Sequence, residues 1–271
     1  MNFDVPAELT SYLETLGSFI ECTILPLQRT DDNNRFFDHR QEYARTDWTQ
    51  GGIPPKEWEG LIDQARVLAD RAGFYRFALP QVYGGQEHPD TNLWMSVIRF
   101  HSAAHPGYGG GLGTDNDLRK EHSVVGNFPD ILMMHHFGTP EQRASFIPQR
   151  LRGRFRVAVG LTQPDHGSGA TFLSTRASPV GEGFEITGRK KWQMGAHHCT
   201  HLIIFARPSG RPGSARGITA FLVARETPGV RVSSFEWSSP MPTDHATVEL
   251  EKVWVPASSV LGRVDHGLAI A

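Results

Sequence analysis

The 271-residue sequence is poor in cysteine: Cys22 and Cys199 are too few and too far apart for a disulfide framework, which fits a reducing compartment. It has no excess of positive charge, since 27 Lys and Arg face 29 Asp and Glu for a net charge of −2. Without an overall basic field, no nucleic-acid partner is expected. No apolar run approaches the ~18 residues of a membrane span. Neither end carries a recognisable targeting signal, so a cytoplasmic protein with no membrane span is expected. Internal repeats and low-complexity blocks are also lacking. The 39% hydrophobic and 21% charged residues describe a folding globular chain, long enough for one large or two ordinary domains.

The two halves differ. Residues 1–150 carry 13 basic and 20 acidic side chains, whereas residues 151–271 carry 14 and 9. The mildly positive second half suits a phosphate-bearing cofactor, and equally suits ordinary surface scatter of arginine. The first half reads as helical. Leu9, Tyr12, Leu13, Leu16, Phe19, Ile20 and Ile24 form a stripe at helical spacing that Pro26 is expected to end. Pro54-Pro55 opens a second helix with Trp58, Leu61, Ile62, Ala65, Leu68 and Ala69 on one face and Gly73 as its stop. A third surrounds Trp94, Val97, Ile98 and His101. Thr139-Pro140-Glu141-Gln142 is the sharpest helix start, a cap followed by Pro at the first position and Gln able to bond back. From Phe155 onward, short β-branched segments take over: 156–161, 184–187, 202–206, 218–223, 230–233 and 247–255. Strands without intervening helices predict an antiparallel barrel or sandwich. The expected architecture is α+β: an all-α helical domain over residues 1–154, then a small antiparallel β-barrel domain over 155–271.

Several segments invite a chemical reading. His197-His198-Cys199 with His201, and the pair His135-His136, offer metal-ligand atoms. Sequence neighbours point in different directions, however, so no metal site is assigned. The glycine-rich stretch His105–Gly113 matches neither a Walker loop nor a dinucleotide fingerprint and reads as a connector. His166-Gly167-Ser168-Gly169 fails the nucleophile-elbow pattern. As a binding loop the same segment is more telling. Leu161-Thr162-Gln163-Pro164-Asp165-His166-Gly167-Ser168-Gly169 leaves a strand and supplies hydroxyls, backbone amides and glycines that admit close approach, suiting an electron-rich heterocycle or a pyrophosphate. Downstream, Gly188-Arg189-Lys190-Lys191-Trp192 places an indole where it could stack on a flat ligand, although a lone Trp is more often core.

The motifs in order resemble the acyl-CoA dehydrogenase family over nearly the whole chain. They run from Leu79-Pro80-Gln81-Val82-Tyr83-Gly84-Gly85 through Phe137-Gly138-Thr139-Pro140-Glu141-Gln142 and Leu161-Thr162-Gln163-Pro164 with Gly167-Ser168 to Gly188-Arg189-Lys190-Lys191-Trp192. Ile218–Val223, Thr227-Pro228-Gly229-Val230, the segment Met241–Ala246 and Val253-Trp254-Val255-Pro256 follow in register. The resemblance implies a helical domain, a middle β-barrel and normally a C-terminal four-helix domain, with FAD as cofactor. It implies α,β-dehydrogenation of an acyl-CoA thioester with hydride transfer to the flavin, and an electron-transfer flavoprotein as acceptor. By motif position, Leu161 and Thr162 bond the flavin pyrimidine edge, Gly167 and Ser168 lie along the pyrophosphate, and Trp192 packs on the isoalloxazine.

The departures are equally specific. Met194 stands where the family usually has Thr or Ser bonding flavin N5, and a thioether cannot donate a hydrogen bond. Gln163 and Gly169 replace the usual Glu and Asp. The family's catalytic Glu belongs to the C-terminal helical domain, which these residues do not include, so no catalytic residue is assigned; Asp165 and Asp244 read as turn residues. Lack of a general base slows such chemistry by about 10²–10⁴-fold. The expected function is therefore an acyl-CoA dehydrogenase-type oxidoreductase that needs a C-terminal domain from elsewhere. The alternatives are a non-catalytic scaffold subunit pairing with a full-length relative, or a CoA-thioester binding module. An apolar face left for the absent helices predicts a homo- or hetero-oligomer.

Overall fold

A computed structural model describes residues 4–38, 41, 44–50, 53–104, 124–236 and 245–271. These fall into two compact units, Met1–Asp47 with Pro54–Phe128, and Trp48–Ile53 with Pro129–Ala271.

The first unit is helical. Helix α1 (Ala7–Phe19) runs into a π-helical turn (Ile20–Ile24) and on into α2 (Leu25–Arg29), burying Leu9, Leu13, Leu16, Ile20 and Ile24 along one stripe. Pro26 does not end this helix. The ladder widens ahead of it, with the Leu25 N–H reaching back five residues to the Ile20 carbonyl. Pro26 then falls at the start of a fresh turn, where no donor is required. Helix α3 (Lys56–Arg71) buries Trp58, Leu61, Ile62, Ala65 and Ala69 and stops at Gly73, whose φ of +84° suits glycine. Helix α4 (Thr91–Ala104) adds Trp94 and Ile98 to the same core.

The second unit carries the helices α5 (Pro129–Phe137) and α6 (Pro140–Leu151). The start of α6 forms the expected capping box: Gln142 N–H donates to Thr139 Oγ1 at 3.2 Å, and Thr139 N–H donates to Gln142 Oε1 at 2.9 Å. The other end of the same Gln142 amide donates to the Ser258 and Val260 carbonyls at 2.8 and 2.9 Å, and Gly262 N–H donates to the Phe137 carbonyl at 3.1 Å. These bonds tie α5 and α6 to the strand region, and the helices share a compact unit with the strands.

Eight strands follow: β1 (Val157–Gly160), β2 (Arg176–Val180), β3 (Gly183–Met194), β4 (His201–Ala206), β5 (Thr219–Ala224), β6 (Val230–Phe235), β7 (His245–Pro256) and β8 (Val260–Leu261). The expected order of helices followed by largely antiparallel strands holds, and among the described residues the strands do not form a closed barrel. Among the described residues the strands make two four-stranded sheets, ordered β1-β4-β5-β8 and β2-β3-β7-β6, and the β1–β4 pair is parallel. An isolated bridge between Arg176 and Arg207 joins the sheets at one side without closing them. Both sheets feed one core, with Ala158, Leu202, Ile204 and Phe221 from the first meeting Ile186, Val248, Val253 and Val255 from the second. Strand β2 was not expected. It carries Pro179, which an edge position tolerates because one side of the strand needs no donor.

Candidate functional site

The site grows from the end of β1. Gly160 lets the neighbouring strand's side chains close over it: a Cβ there would lie 2.6 Å from Ile204 Cδ1 and push that methyl aside. The chain then leaves the sheet as the loop 161–175, held at its root by Gln163. The Gln163 Oε1 accepts from Thr175 N–H at 2.9 Å, Thr175 Oγ1 at 2.6 Å and Ser174 N–H at 3.2 Å, while its Nε2 donates to Ser174 Oγ at 3.0 Å. Behind the loop lies Lys190 of β3, fully buried, its Nζ donating to the Leu161 carbonyl at 3.1 Å and lying 3.5 Å from Gln163 Oε1. Burial with no charged neighbour pushes this amine down to about 7.

Strand β3 also grips the loop from the side. Lys191 N–H donates to the Thr162 carbonyl at 3.1 Å, with Gln193 Nε2 at 3.4 Å from the same oxygen. Between Lys190, paired with Val248, and Gln193, paired with Ala246, the strand has one residue too many, so Lys191 and Trp192 form a bulge. The bulge places Trp192 at φ +62°, a left-handed conformation that costs a bulky residue on the order of 1–3 kcal/mol. Its indole is held outward, 42% exposed, edge-on to His245 at 6.3 Å and under the Lys191 ammonium at 4.8 Å. Lys191 in turn pairs with Glu236 at 3.4 Å.

The expected residues are thus partly assembled. Leu161, Thr162 and Trp192 are brought together by β3, and among the described residues the Leu161 and Thr162 amides and the Thr162 hydroxyl donate to nothing in the chain. Open donors beside an outward-facing aromatic plane fit a flat heterocycle with carbonyls on its edge. Met194 closes β3, opposite His245 and 69% exposed. Gly167 and Ser168 lie on the exposed stretch before the 3-10 turn Ala170–Phe172, with open space over Gly167, and no hydrogen bond draws them to Trp192. Asp165 is exposed, while Asp244 and the glycine-rich segment 105–113 lie outside the described residues.

The far end of the loop rests on Arg207, whose guanidinium donates to the Thr171, Leu173, Ser214 and Arg216 carbonyls at 2.7, 3.3, 3.1 and 2.9 Å. Sequence reasoning missed Lys190 and Arg207 as parts of the site, and placed Gln163 in the loop without its anchoring role. The run Arg189-Lys190-Lys191 looks like a solvated basic stretch, yet period two from the buried Ile186 points Lys190 inward and its neighbours out. Among the described residues, no three His, Cys, Asp or Glu side chains are placed to hold a metal ion, and no helix is long and apolar enough to cross a membrane.

Residues 158–253, which contain the loop, Lys190 and Trp192, match the family model of the acyl-CoA dehydrogenase middle domain. The protein named "Probable acyl-CoA dehydrogenase FadE10" of Mycobacterium tuberculosis is 28% identical over 225 residues, covering 81% of this chain and 31% of that protein. Glutaryl-CoA dehydrogenase of Desulfococcus multivorans is 24% identical over 271 residues, all of this chain and 61% of that protein. The fold is shared with the solved FAD complex of PigA, at a TM-score of 0.71 and 17% identity, covering all of this chain and 62% of that one. The chain spans less than two thirds of each of these proteins. Its middle-domain match, with relatives aligned over most or all of its length, places this chain in the acyl-CoA dehydrogenase family.

Proposed function

We propose that the chain binds FAD and serves the α,β-dehydrogenation of an acyl-CoA thioester. The carrying observation is Trp192, held outward in a strained bulge beside the open amides of Leu161 and Thr162. In this reading Leu161 and Thr162 bond the pyrimidine edge, Trp192 covers one face of the ring system and excludes water from it, and Gly167 and Ser168 line the pyrophosphate. Bound FAD supplies the acceptor for the two electrons leaving the substrate. The Met194 side chain offers no donor, so the chain's grip on the ring system is confined to the pyrimidine edge and the covered face.

We assign no carboxylate of these residues as the base. The family's base stands on a helical domain after the middle domain, and the complete reaction calls for such a domain, whichever polypeptide carries it. Exposed Phe172, Trp192 and Met194 supply apolar surface for that contact. An electron-transfer flavoprotein is the proposed acceptor downstream. A non-catalytic subunit is the second reading, favoured by Met194 at the position where the family has a hydroxyl.

The test is the visible spectrum of the chain incubated with excess FAD, desalted, and titrated with short, medium and long acyl-CoA. Retained flavin bands support the cofactor assignment, and bleaching only after a C-terminal helical domain is supplied supports the division of labour. Bleaching by the 271 residues alone would show that they hold the base; no retained flavin would overturn the reading.

A further inference from the structure

Leu161 and Thr162 share one peptide unit. Its carbonyl accepts from the buried Lys190 Nζ at 3.1 Å, and its N–H, at Thr162, has no acceptor among the described residues. A hydrogen bond to the carbonyl end of an amide polarises the N–H end, and a charged donor does so more strongly than a neutral one. We propose that Lys190 is a positioning residue for the ligand of the 161–169 loop, its charge relayed through the Leu161–Thr162 peptide so that the Thr162 N–H becomes a stronger donor to an electron-rich carbonyl. With the ligand taken as the pyrimidine edge of FAD, this rests on the function proposed above.

The second element is the neutrality of Gln163. Its oxygen already collects three donors from Ser174 and Thr175 and stands 3.5 Å from Lys190, so the amine sits beside an acceptor that carries no compensating charge. The groups facing Lys190 are Gly160 from β1, Leu161 and Gln163 from the loop, and Val248 opposite it in β7, none of them titratable. The flanking cations on its own strand are paired elsewhere, Arg189 with Glu249 at 2.7 Å and Lys191 with Glu236. Because burial holds the amine near neutrality, the relayed charge is present at mildly acidic pH and withdrawn as pH rises. A glutamate at 163 would fix the charge by pairing with it.

The experiment measures the dissociation constant of FAD from pH 6 to pH 9 for the wild-type chain, Lys190→Met and Gln163→Glu, alongside the Lys190 Cε–Nζ and Thr162 amide NMR signals without FAD. In the wild type, affinity is expected to fall up to roughly tenfold across that range, and the Thr162 amide shift should follow the Lys190 titration. In Lys190→Met the profile flattens at the weak limit, and in Gln163→Glu it flattens with Lys190 no longer titrating below pH 9. Identical profiles in all three chains would overturn the proposal. If FAD fails to bind at any pH, the function proposed above fails. The relay is then judged by NMR alone: it stands if the Thr162 amide moves with Lys190, and falls if Lys190 titrates near 10 or the amide is indifferent.

Discussion

The two ends of the 161–175 loop are each held by a buried cation, and the difference between the two is instructive. At the far end Arg207 spends four of its five N–H donors on backbone carbonyls of the scaffold. At the near end Lys190 meets one carbonyl and one neutral amide, and the peptide it grips presents an open N–H on its other side. A saturated cation fixes a shape. An under-partnered one costs stability and leaves a field that a ligand could use, which is the role proposed for Lys190.

That contrast sets the expected size of each perturbation. Arg207→Ala strands the Thr171, Leu173, Ser214 and Arg216 carbonyls and should lower stability by about 3 kcal/mol, read as a lower urea midpoint with an unchanged slope. Lys190→Met should behave oppositely. With the folded amine near 7 against an ordinary value of 10.5, the unfolded chain holds an extra proton between those pH values. Stability of the wild type therefore rises from pH 7 toward pH 10, by on the order of 3 kcal/mol. Lys190→Met should lose this rise and be at least as stable as wild type at pH 7, checked by thermal melts across pH; loss of stability comparable to Arg207→Ala would erase the distinction between the two cations. Gln142→Ala removes the capping-box partner of Thr139 and both bonds to the 258–260 turn, for an expected cost of about 1–2 kcal/mol with no effect on flavin retention. The smallest stability change belongs to Trp192→Gly. Glycine accepts φ +62° without strain, so denaturation should show a change within about 1 kcal/mol.

How far the sequence foretold this depended on the range of the interactions involved. Thr139-Pro140-Glu141-Gln142 was readable because a capping box closes within four residues. The stripe from Leu9 to Ile24 was readable for the same reason, but Pro26 misled, since the widened turn ahead of it is a local adjustment that no spacing announces. A sandwich was among the readings, but its parallel pair was not legible, because the pairing of Val157–Gly160 with His201–Ile204 joins segments some forty residues apart and leaves no mark in either. At the site, the resemblance pointed to Leu161, Thr162 and Trp192, and the bulge between Lys190 and Gln193 explains how the indole comes to face outward. Lys190 was hidden among three consecutive cations, although alternation along β3 carried the signal.

The claim that most needs testing is that the strain at Trp192 serves the ligand rather than the fold. The direct measurement pairs flavin retention after desalting with the urea midpoint, for wild type and Trp192→Gly. The expected result is stoichiometric flavin in the wild type and little or none in Trp192→Gly, whose midpoint is equal or higher. Equal flavin retention by both chains, or a Trp192→Gly chain that loses flavin only because it unfolds at lower urea, would contradict it.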